Sequence, residues 1–217
     1  MKVKAVIFDL DGTLLDTLDD LADSGNAVLQ AHGHAPHAVD AYRTFIGDGM
    51  GKLVERIFSD GAEVDEELQQ QRLQDYKEAY LQRWQNKTCV YEGVEDLLSE
   101  LSQRGVKTGI LTNKAHAFAE KCVEKFLGLH PWDVVLGQRE GVAKKPDAAG
   151  ARDALQAMQV TESETIFVGD SSVDMQTAVN AKLKAVGVSW GFRGREELIE
   201  HGASVVIDRP DELLELL

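Results

Sequence analysis

The chain has 217 residues, of which 43% are hydrophobic, so it is long enough to bury a substantial core in one domain or in a domain with an insertion. Its 37 acidic residues outnumber its 23 Lys and Arg residues and give a formal net charge of −14, which argues against extended binding to nucleic acid or anionic membranes. An anionic ligand therefore has to be attracted by a local cation, either a metal ion or a well-placed lysine.

The first predicted element is a short buried strand that ends in a polar cluster. Val6, Ile7 and Phe8 form an apolar run typical of a strand covered on both faces, and Asp9-Leu10-Asp11-Gly12-Thr13 follows. Open α/β sheets bind ligands at the carboxyl ends of their strands. Two carboxylates one residue apart can share a hard cation while one acts as a nucleophile and the other as an acid/base. The alternative is a solvated turn, which we disfavour because buried strands seldom end in two unpaired acids.

The next segment, residues 16–88, shows only helical periodicity. We therefore predict an all-helical insertion directly after the first strand, placed as a cap over the acidic turn. Within it, the loop from Gly47 to Lys52 could face the site and select the substrate. Equally, it could be the glycine-rich start of a helix near Met50, with Asp48 as the cap.

Three histidines lie close together in the same insertion. His32, His34 and His37 could bind a metal ion on the cap. Because glycine and proline separate them, we favour a surface turn.

From residue 89 onward, short apolar runs alternate with helix-length segments, as in repeated βα units with a parallel sheet. The predicted strands cover residues 107–111, 134–136, 165–168, 185–188 and 204–207. The fold class is therefore α/β, with a Rossmann-like parallel sheet core. We predict that residues 1–15 and 89–217 form this core and that residues 16–88 form the helical cap domain.

Three further polar groups follow predicted strands or precede predicted helices. Thr112 ends a strand, where its hydroxyl could donate to a phosphoryl oxygen or cap the next helix. Lys145 precedes a helix, where it could neutralise a transferring phosphoryl group or lie in a solvated turn. Asp170 and Asp174 could bind or support a divalent metal ion. Parallel strands should bring all these groups to one edge of the sheet, beside the first two acids.

Together these motifs resemble those of the haloacid dehalogenase-like hydrolase superfamily, and the resemblance covers essentially the whole chain. The four motifs of that superfamily are matched, in order, by Asp9-Leu10-Asp11-Gly12-Thr13, Thr112-Asn113, Lys145-Pro146 and Gly169-Asp170-Ser171-Ser172-Val173-Asp174. Among its branches, the chain is most similar to phosphoglycolate phosphatases with a helical cap. The supporting sequences are Leu111-Thr112-Asn113-Lys114, Gly47-Asp48-Gly49 and Trp190-Gly191-Phe192.

The resemblance implies a mechanism. Asp9 would attack the phosphorus and form an aspartyl-phosphate, while Asp11 would act first as the acid and then as the base. Mg²⁺ would be held by Asp9, the Asp11 backbone carbonyl and Asp170, with Asp174 supporting Lys145 or a metal-bound water.

The resemblance also implies which groups stabilise the transition state. Thr112, Lys145 and backbone N–H groups near Gly12 would stabilise the transition state. The predicted substrate-binding residues are Gly12, Thr13, Asn113, Gly47 and Lys52. Arg193 could bind a substrate carboxylate, or it could be an ordinary loop arginine.

The expected function is Mg²⁺-dependent hydrolysis of a small phosphomonoester such as 2-phosphoglycolate. The alternatives are a phosphosugar mutase of the β-phosphoglucomutase type, a pyrophosphatase or another small-molecule phosphatase of the superfamily. A non-catalytic binding module is less favoured because every motif residue is present.

Partners and location follow from the same sequence. Met1-Lys2-Val3-Lys4 leads directly into the first strand without an apolar signal region, and no run approaches the roughly 20 apolar residues of a membrane span. We expect a cytoplasmic monomer or homodimer that acts on a small phosphorylated metabolite and binds neither nucleic acid nor membranes.

Overall fold

The computed structural model describes residues 2–58 and 65–217. The chain divides into two compact units, one formed by Met1–Asp16 with Val90–Leu217 and the other by Thr17–Cys89. Within the two described ranges, no helix combines the length and apolarity needed to cross a bilayer.

The described elements are named in chain order. The strands are β1 (Ala5–Phe8), β2 (Leu15–Asp16), β3 (Cys89–Val90), β4 (Lys107–Ala115), β5 (Val134–Gln138), β6 (Thr165–Gly169), β7 (Lys184–Val188) and β8 (Val205–Ile207). The α-helices are α1 (Leu18–Ala31), α2 (Tyr42–Phe45), α3 (Met50–Ile57), α4 (Glu66–Arg83), α5 (Val94–Gln103), α6 (His116–Leu127), α7 (Ala149–Met158), α8 (Ser172–Asn180) and α9 (Arg195–Glu200). Short 3₁₀ helices cover Val39–Ala41, Glu162–Glu164 and Pro210–Leu216.

A parallel six-stranded sheet forms the centre of the first unit, in the spatial order β5-β4-β1-β6-β7-β8. Numbered along the chain within this sheet, the order is the doubly wound 3-2-1-4-5-6 arrangement. The predicted α/β class with a Rossmann-like parallel sheet is confirmed.

The first strand lies at the centre of this sheet. Phe8 pairs in register with Ile110 of β4 and Val168 of β6, and all four residues of β1 are buried. Ile7 belongs to a core cluster that also contains Ala151 of α7. Since the strand order reverses between β1 and β6, their carboxyl ends flank the crevice in which open α/β sheets bind ligands.

Strand β4 is longer than predicted and irregular near its end. Leu111 pairs with Leu136 and Ala115 pairs with Gln138, so three residues of β4 lie opposite the single residue Gly137. A Cβ on Gly137 would lie 2.5 Å from the Cα of His116, so glycine permits this close approach. Because β4 continues through this irregularity, the motif residues Thr112 and Asn113 lie on the strand itself rather than in a loop.

The described part of the second unit contains helices and no strand apart from the first residue of β3. Asp20 of α1 is fully buried, and its carboxylate accepts hydrogen bonds from the backbone N–H groups of Lys87 and Thr88 and from the Thr88 hydroxyl. The hydroxyl of Tyr76 on α4 donates to the Leu21 carbonyl. These bonds tie the start of α1 to α4 and to the end of the unit.

Candidate active site

Three buried acids meet at the carboxyl ends of β1 and β6. The Asp9 N–H donates to the Val168 carbonyl at 2.9 Å, which continues the pairing of β1 with β6. One carboxylate oxygen each of Asp9, Asp170 and Asp174 lies within 4.8 Å of the others. Carboxylate oxygens are the hard ligands that Mg²⁺ and Ca²⁺ prefer.

Lys145 forms ion pairs with two of these acids. Its Nζ lies 2.8 Å from Asp9 Oδ1 and 2.6 Å from Asp174 Oδ1, and its side chain is only 3% exposed. Burial lowers the pKa of Lys145, but the carboxylates of Asp174 and Asp9 raise it by more, so the net shift is upward. The lysine is therefore charged at neutral pH.

The remaining negative charge is not fully balanced. Burial, followed by the charge of Asp174, raises the pKa of Asp9, and burial, followed by the charges of Asp174 and Asp9, raises the pKa of Asp170. Asp9 Oδ1 is buried and makes no hydrogen bond within the described ranges, although Lys145 lies close enough for an ion pair. A crowded, buried set of oxygen ligands with excess negative charge fits a divalent metal ion.

Neutral donors hold Asp170 in place. The Thr13 hydroxyl donates to Oδ1 at 3.0 Å, and the Phe192 backbone N–H donates to Oδ2 at 2.8 Å. Substrate binding by Thr13 stays a prediction. Gly12 has φ of +85°, and a Cβ there would lie 2.3 Å from Asp170 Oδ2. Its N–H, a predicted transition-state donor, bonds to the Leu15 carbonyl within the loop.

The segment 190–192 packs against this loop, a role that the sequence analysis missed. Trp190 Nε1 donates to the Thr13 carbonyl at 3.1 Å. A Cβ on Gly191 would lie 2.2 Å from Asp170 Cβ and 2.5 Å from the Gly12 carbonyl oxygen. The sequence Trp190-Gly191-Phe192 supports the resemblance to the family. It contains no titratable residue, so nothing in it indicated a role in the site.

We expect Gly191→Ala to weaken the binding of a divalent metal ion at the acid cluster by roughly 10- to 100-fold, the usual effect of disturbing support around a metal ligand. The added methyl group must displace Asp170 or the Gly12 backbone. The matched control is Gly194→Ala, because a Cβ at Gly194 meets no atom within 4 Å. Equal metal titrations for the two variants would contradict the positioning role.

Arg193 follows the same segment. Its Nε lies 3.5 Å from Glu197 Oε1 in the first turn of α9, and its side chain is 14% exposed. Recognition of a substrate carboxylate by Arg193 stays a prediction.

Asp174 lies at the start of α8. Its Oδ2 accepts hydrogen bonds from the Ser171 N–H at 3.0 Å and the Ser171 hydroxyl at 2.6 Å, which completes a capping box. Its Oδ1 faces Lys145. A Cβ on Gly169 would lie 2.3 Å from the Asp174 Cβ, so glycine lets the helix start approach the strand end. Asp174 is thus fixed as the support of Lys145.

Thr112 and Asn113 lie in the irregular end of β4. The Thr112 hydroxyl accepts the Lys114 N–H at 3.2 Å, while α6 begins later, after the N-cap Ala115, so the helix-cap alternative for Thr112 is wrong. The Asn113 side chain donates to the Lys145 carbonyl at 3.1 Å and accepts the Lys145 N–H at 2.9 Å. These bonds support the Lys145 backbone, and substrate binding by Asn113 stays a prediction.

Asp11 faces a second lysine that the sequence analysis did not single out. Lys114 Nζ lies 2.9 Å from Asp11 Oδ1 and 3.1 Å from Oδ2, and the two side chains are 3% and 14% exposed. The sequence did contain one indication of this contact. Lys114 is the charged residue directly after Thr112-Asn113, at the end of a strand that is predicted to reach the site.

Gly47 and Lys52 lie in the second unit, where their role in substrate binding stays a prediction. Lys52 pairs with Glu55 on the same helix, and both side chains are about half exposed. Asp48 does not cap α3, because it pairs with Arg56 and the N-cap is the adjacent glycine.

The three histidines of the second unit contact different partners. His32 Nε2 lies 2.7 Å from Asp75 Oδ2, and His37 Nε2 lies 2.8 Å from the Ile57 carbonyl oxygen. The ring of His34 packs edge-on against Phe58. In the portion of the chain that the structure describes, the acid cluster of the first unit is the only grouping of metal-binding type, and it includes no histidine.

Comparison with known proteins gives a consistent result. The family model for haloacid dehalogenase-like hydrolases matches residues 6–188. A phosphoglycolate phosphatase from Psychrobacter arcticus is 32% identical over 223 residues, covering 100% of this chain and 96% of that protein. A phosphoglycolate phosphatase from Pseudomonas putida is 34% identical over 208 residues, covering 94% of this chain and 76% of that protein.

A solved structure agrees with these relatives. A protein from Lactobacillus delbrueckii subsp. bulgaricus, provisionally assigned as a phosphoglycolate phosphatase, superposes with a TM-score of 0.92 at 30% identity. The match covers 100% of this chain and 98% of that one. The similarity therefore extends over both units of the chain.

Proposed function

This chain belongs to the haloacid dehalogenase-like hydrolase family and is a phosphatase of that family, and we propose that it hydrolyses a small phosphomonoester through an aspartyl-phosphate intermediate. The observation that carries the proposal is the buried Lys145, whose Nζ joins Asp9 to Asp174 beside a third acid, Asp170. Such a site combines a carboxylate nucleophile with cationic charge at the position of a transferring phosphoryl group.

In the first step, a carboxylate oxygen of Asp9 attacks the phosphorus, and the bond from phosphorus to the leaving oxygen breaks. Asp11 supplies the proton that the leaving alkoxide takes up, so the products are an alcohol and a phosphorylated Asp9. Lys145 and the Thr112 hydroxyl stabilise the charge on the transferring oxygens.

In the second step, water attacks the aspartyl-phosphate. Asp11, now a carboxylate, accepts a proton from this water, and Asp9 is released together with inorganic phosphate. The proton returns Asp11 to the state in which the cycle began. One side chain thus serves as acid and base in turn.

We propose Mg²⁺ as the cofactor, held by Asp9, Asp170 and the Asp11 backbone carbonyl, with Asp174 as support. When bound, it would supply positive charge to offset that of the substrate phosphate and the clustered acids. Thr13, Phe192 and Gly191 keep the carboxylate of Asp170 in the orientation that such an ion needs.

We propose 2-phosphoglycolate as the substrate to test first, because two relatives that match nearly the whole chain carry that activity in their names. Residues 16–88 would serve as the cap, with Gly47 and Lys52 as its substrate-facing residues. We further propose that the enzyme acts in the cytoplasm, as a monomer or homodimer. The net charge of −14 supports a small metabolite rather than nucleic acid or an anionic membrane as its partner.

The test is phosphate release by the purified protein from phosphoglycolate, sugar phosphates, nucleotides and pyrophosphate, each with Mg²⁺ and with a chelator. We expect release that requires Mg²⁺ and that is fastest with phosphoglycolate. A different preferred ester would keep the mechanism and change the substrate. Isomerisation of a sugar phosphate would favour the mutase alternative, and no reaction with any compound would contradict the proposal.

A further inference from the structure

The mechanism leaves one buried charge of the site without a role. Lys114 is almost fully buried, and its Nζ contacts both oxygens of Asp11. Burying an ammonium group is unfavourable unless its environment compensates for the lost hydration. A lysine that served solubility or surface charge would not be placed there.

The two acids of the first loop face different cations. Asp9 lies 2.8 Å from Lys145 Nζ, which also contacts Asp174, whereas Asp11 lies 2.9 Å from Lys114 Nζ. The acids are separated by one residue and have the same chemistry, so their surroundings must distinguish the nucleophile from the acid/base.

The backbone contacts of Lys114 determine the direction of its side chain. Its N–H donates to the Thr112 hydroxyl, and its carbonyl would lie 2.8 Å from a Cβ on Gly137. The irregular end of β4 therefore determines the direction in which the lysine side chain leaves the strand. Lys114 and Asp11 are 103 positions apart in the chain, so only this packing brings them together.

We propose that Lys114 is the positioning residue for the acid/base, holding the Asp11 carboxyl group in the orientation from which it protonates the leaving alkoxide. This inference rests on the proposed function and adds to it a residue that acts through Asp11. A contact to both oxygens restricts rotation of the carboxyl group, and a misplaced proton donor loses much of its effect.

The nature of the leaving group provides the test. An alkoxide such as that of glycolate needs a proton as it departs, whereas p-nitrophenolate is stable without one. Because kcat/KM reports the steps up to the first irreversible one, it isolates phosphoryl transfer to Asp9 from the later hydrolysis. Steady-state kinetics are measured with both phosphate esters for the parent protein, Asp11→Asn, Lys114→Gln, Lys114→Arg and the double variant.

We expect Lys114→Gln to lower kcat/KM for the alkyl ester by roughly 10²-fold, the lower end of what a general acid contributes. With p-nitrophenyl phosphate, kcat/KM should stay within a few-fold of the parent value. Lys114→Arg keeps the charge and should recover part of the loss. The double variant should be little worse than Asp11→Asn alone, since both changes remove the same function. Lys125→Gln, which removes an exposed lysine of α6, is the matched control and should behave as the parent.

The outcomes separate this inference from the mechanism on which it rests. If Asp11→Asn discriminates between the two esters and Lys114→Gln does not, the positioning role is overturned while the mechanism stands. If Asp11→Asn itself loses both activities equally, Asp11 is not the acid, and both proposals fail. If Lys114→Gln lowered kcat/KM equally for both esters while Asp11→Asn discriminated between them, Lys114 would have only a structural role.

Discussion

Asp9→Asn is expected to lower phosphate release by about 10⁴-fold or more, as the removal of a nucleophile does in other enzymes. Asparagine keeps the size of the side chain but cannot form the acyl phosphate. Rapidly quenched parent enzyme should carry the mass of one phosphoryl group on the peptide that contains residue 9, and the variant should not. Substantial turnover by the purified variant would overturn the assignment of the nucleophile.

The same substitution should leave the fold intact. Burial and the charge of Asp174 raise the pKa of Asp9, which means that the folded protein disfavours the ionised carboxylate. Removing that charge should therefore leave the thermal unfolding midpoint unchanged or higher when it is measured with a chelator. Asp147→Asn, a change of an exposed acid near Lys145, is the control and should retain full activity.

Lys145→Met is expected to lower both activity and stability. It removes the cation between Asp9 and Asp174, and breaking a buried ion pair by removing one partner reduces the free energy of unfolding by about 3–5 kcal/mol. We expect kcat to fall by roughly 10²- to 10³-fold, as when one group that stabilises transition-state charge is lost. Chemical denaturation and steady-state kinetics measure the two effects. Lys144→Met is the control, because Lys144 is exposed and adjacent in sequence.

A second substitution separates the two effects of Lys145. Adding Asp174→Asn to Lys145→Met removes a buried carboxylate that the first change leaves without its cation. The double variant should recover stability relative to Lys145→Met but should not recover activity. If activity returned together with stability, Lys145 would have only a structural role.

Several features of this protein could be predicted from sequence because their signals are local. Buried parallel strands appear as continuous apolar runs, and the parallel arrangement places their carboxyl ends at one edge of the sheet. Asp9, Lys145 and Asp174 could therefore be assigned to one cluster from their positions after β1, before α7 and after β6. The change from helical to strand periodicity predicted an insertion over residues 16–88, and the second unit of the structure covers residues 17–89.

Other features were incomplete or missed because they depend on distant partners. Substrate binding by Thr13 and Asn113 stays a prediction, but the sequence did not indicate the hydrogen bonds of their side chains with Asp170 and with the Lys145 backbone. Such bonds leave no periodic pattern in the sequence. The extension of β4 beyond residue 111 also has no local signal, because it depends on the close approach that Gly137 allows.

The sequence by itself determined the fold class and the chemical groups that reach the edge of the sheet, since these follow from the period of apolar residues and from the residues next to strand ends. The resemblance of its four motifs to a known superfamily indicated the family. Only the tertiary structure decided which group each acid faces. Asp9 faces Lys145, Asp11 faces Lys114, and Asp170 is held by Thr13 from 157 positions away. The physical reason is that hydrogen bonds and ion pairs act over a few ångströms, whereas these partners meet only after the strands that carry them have packed side by side.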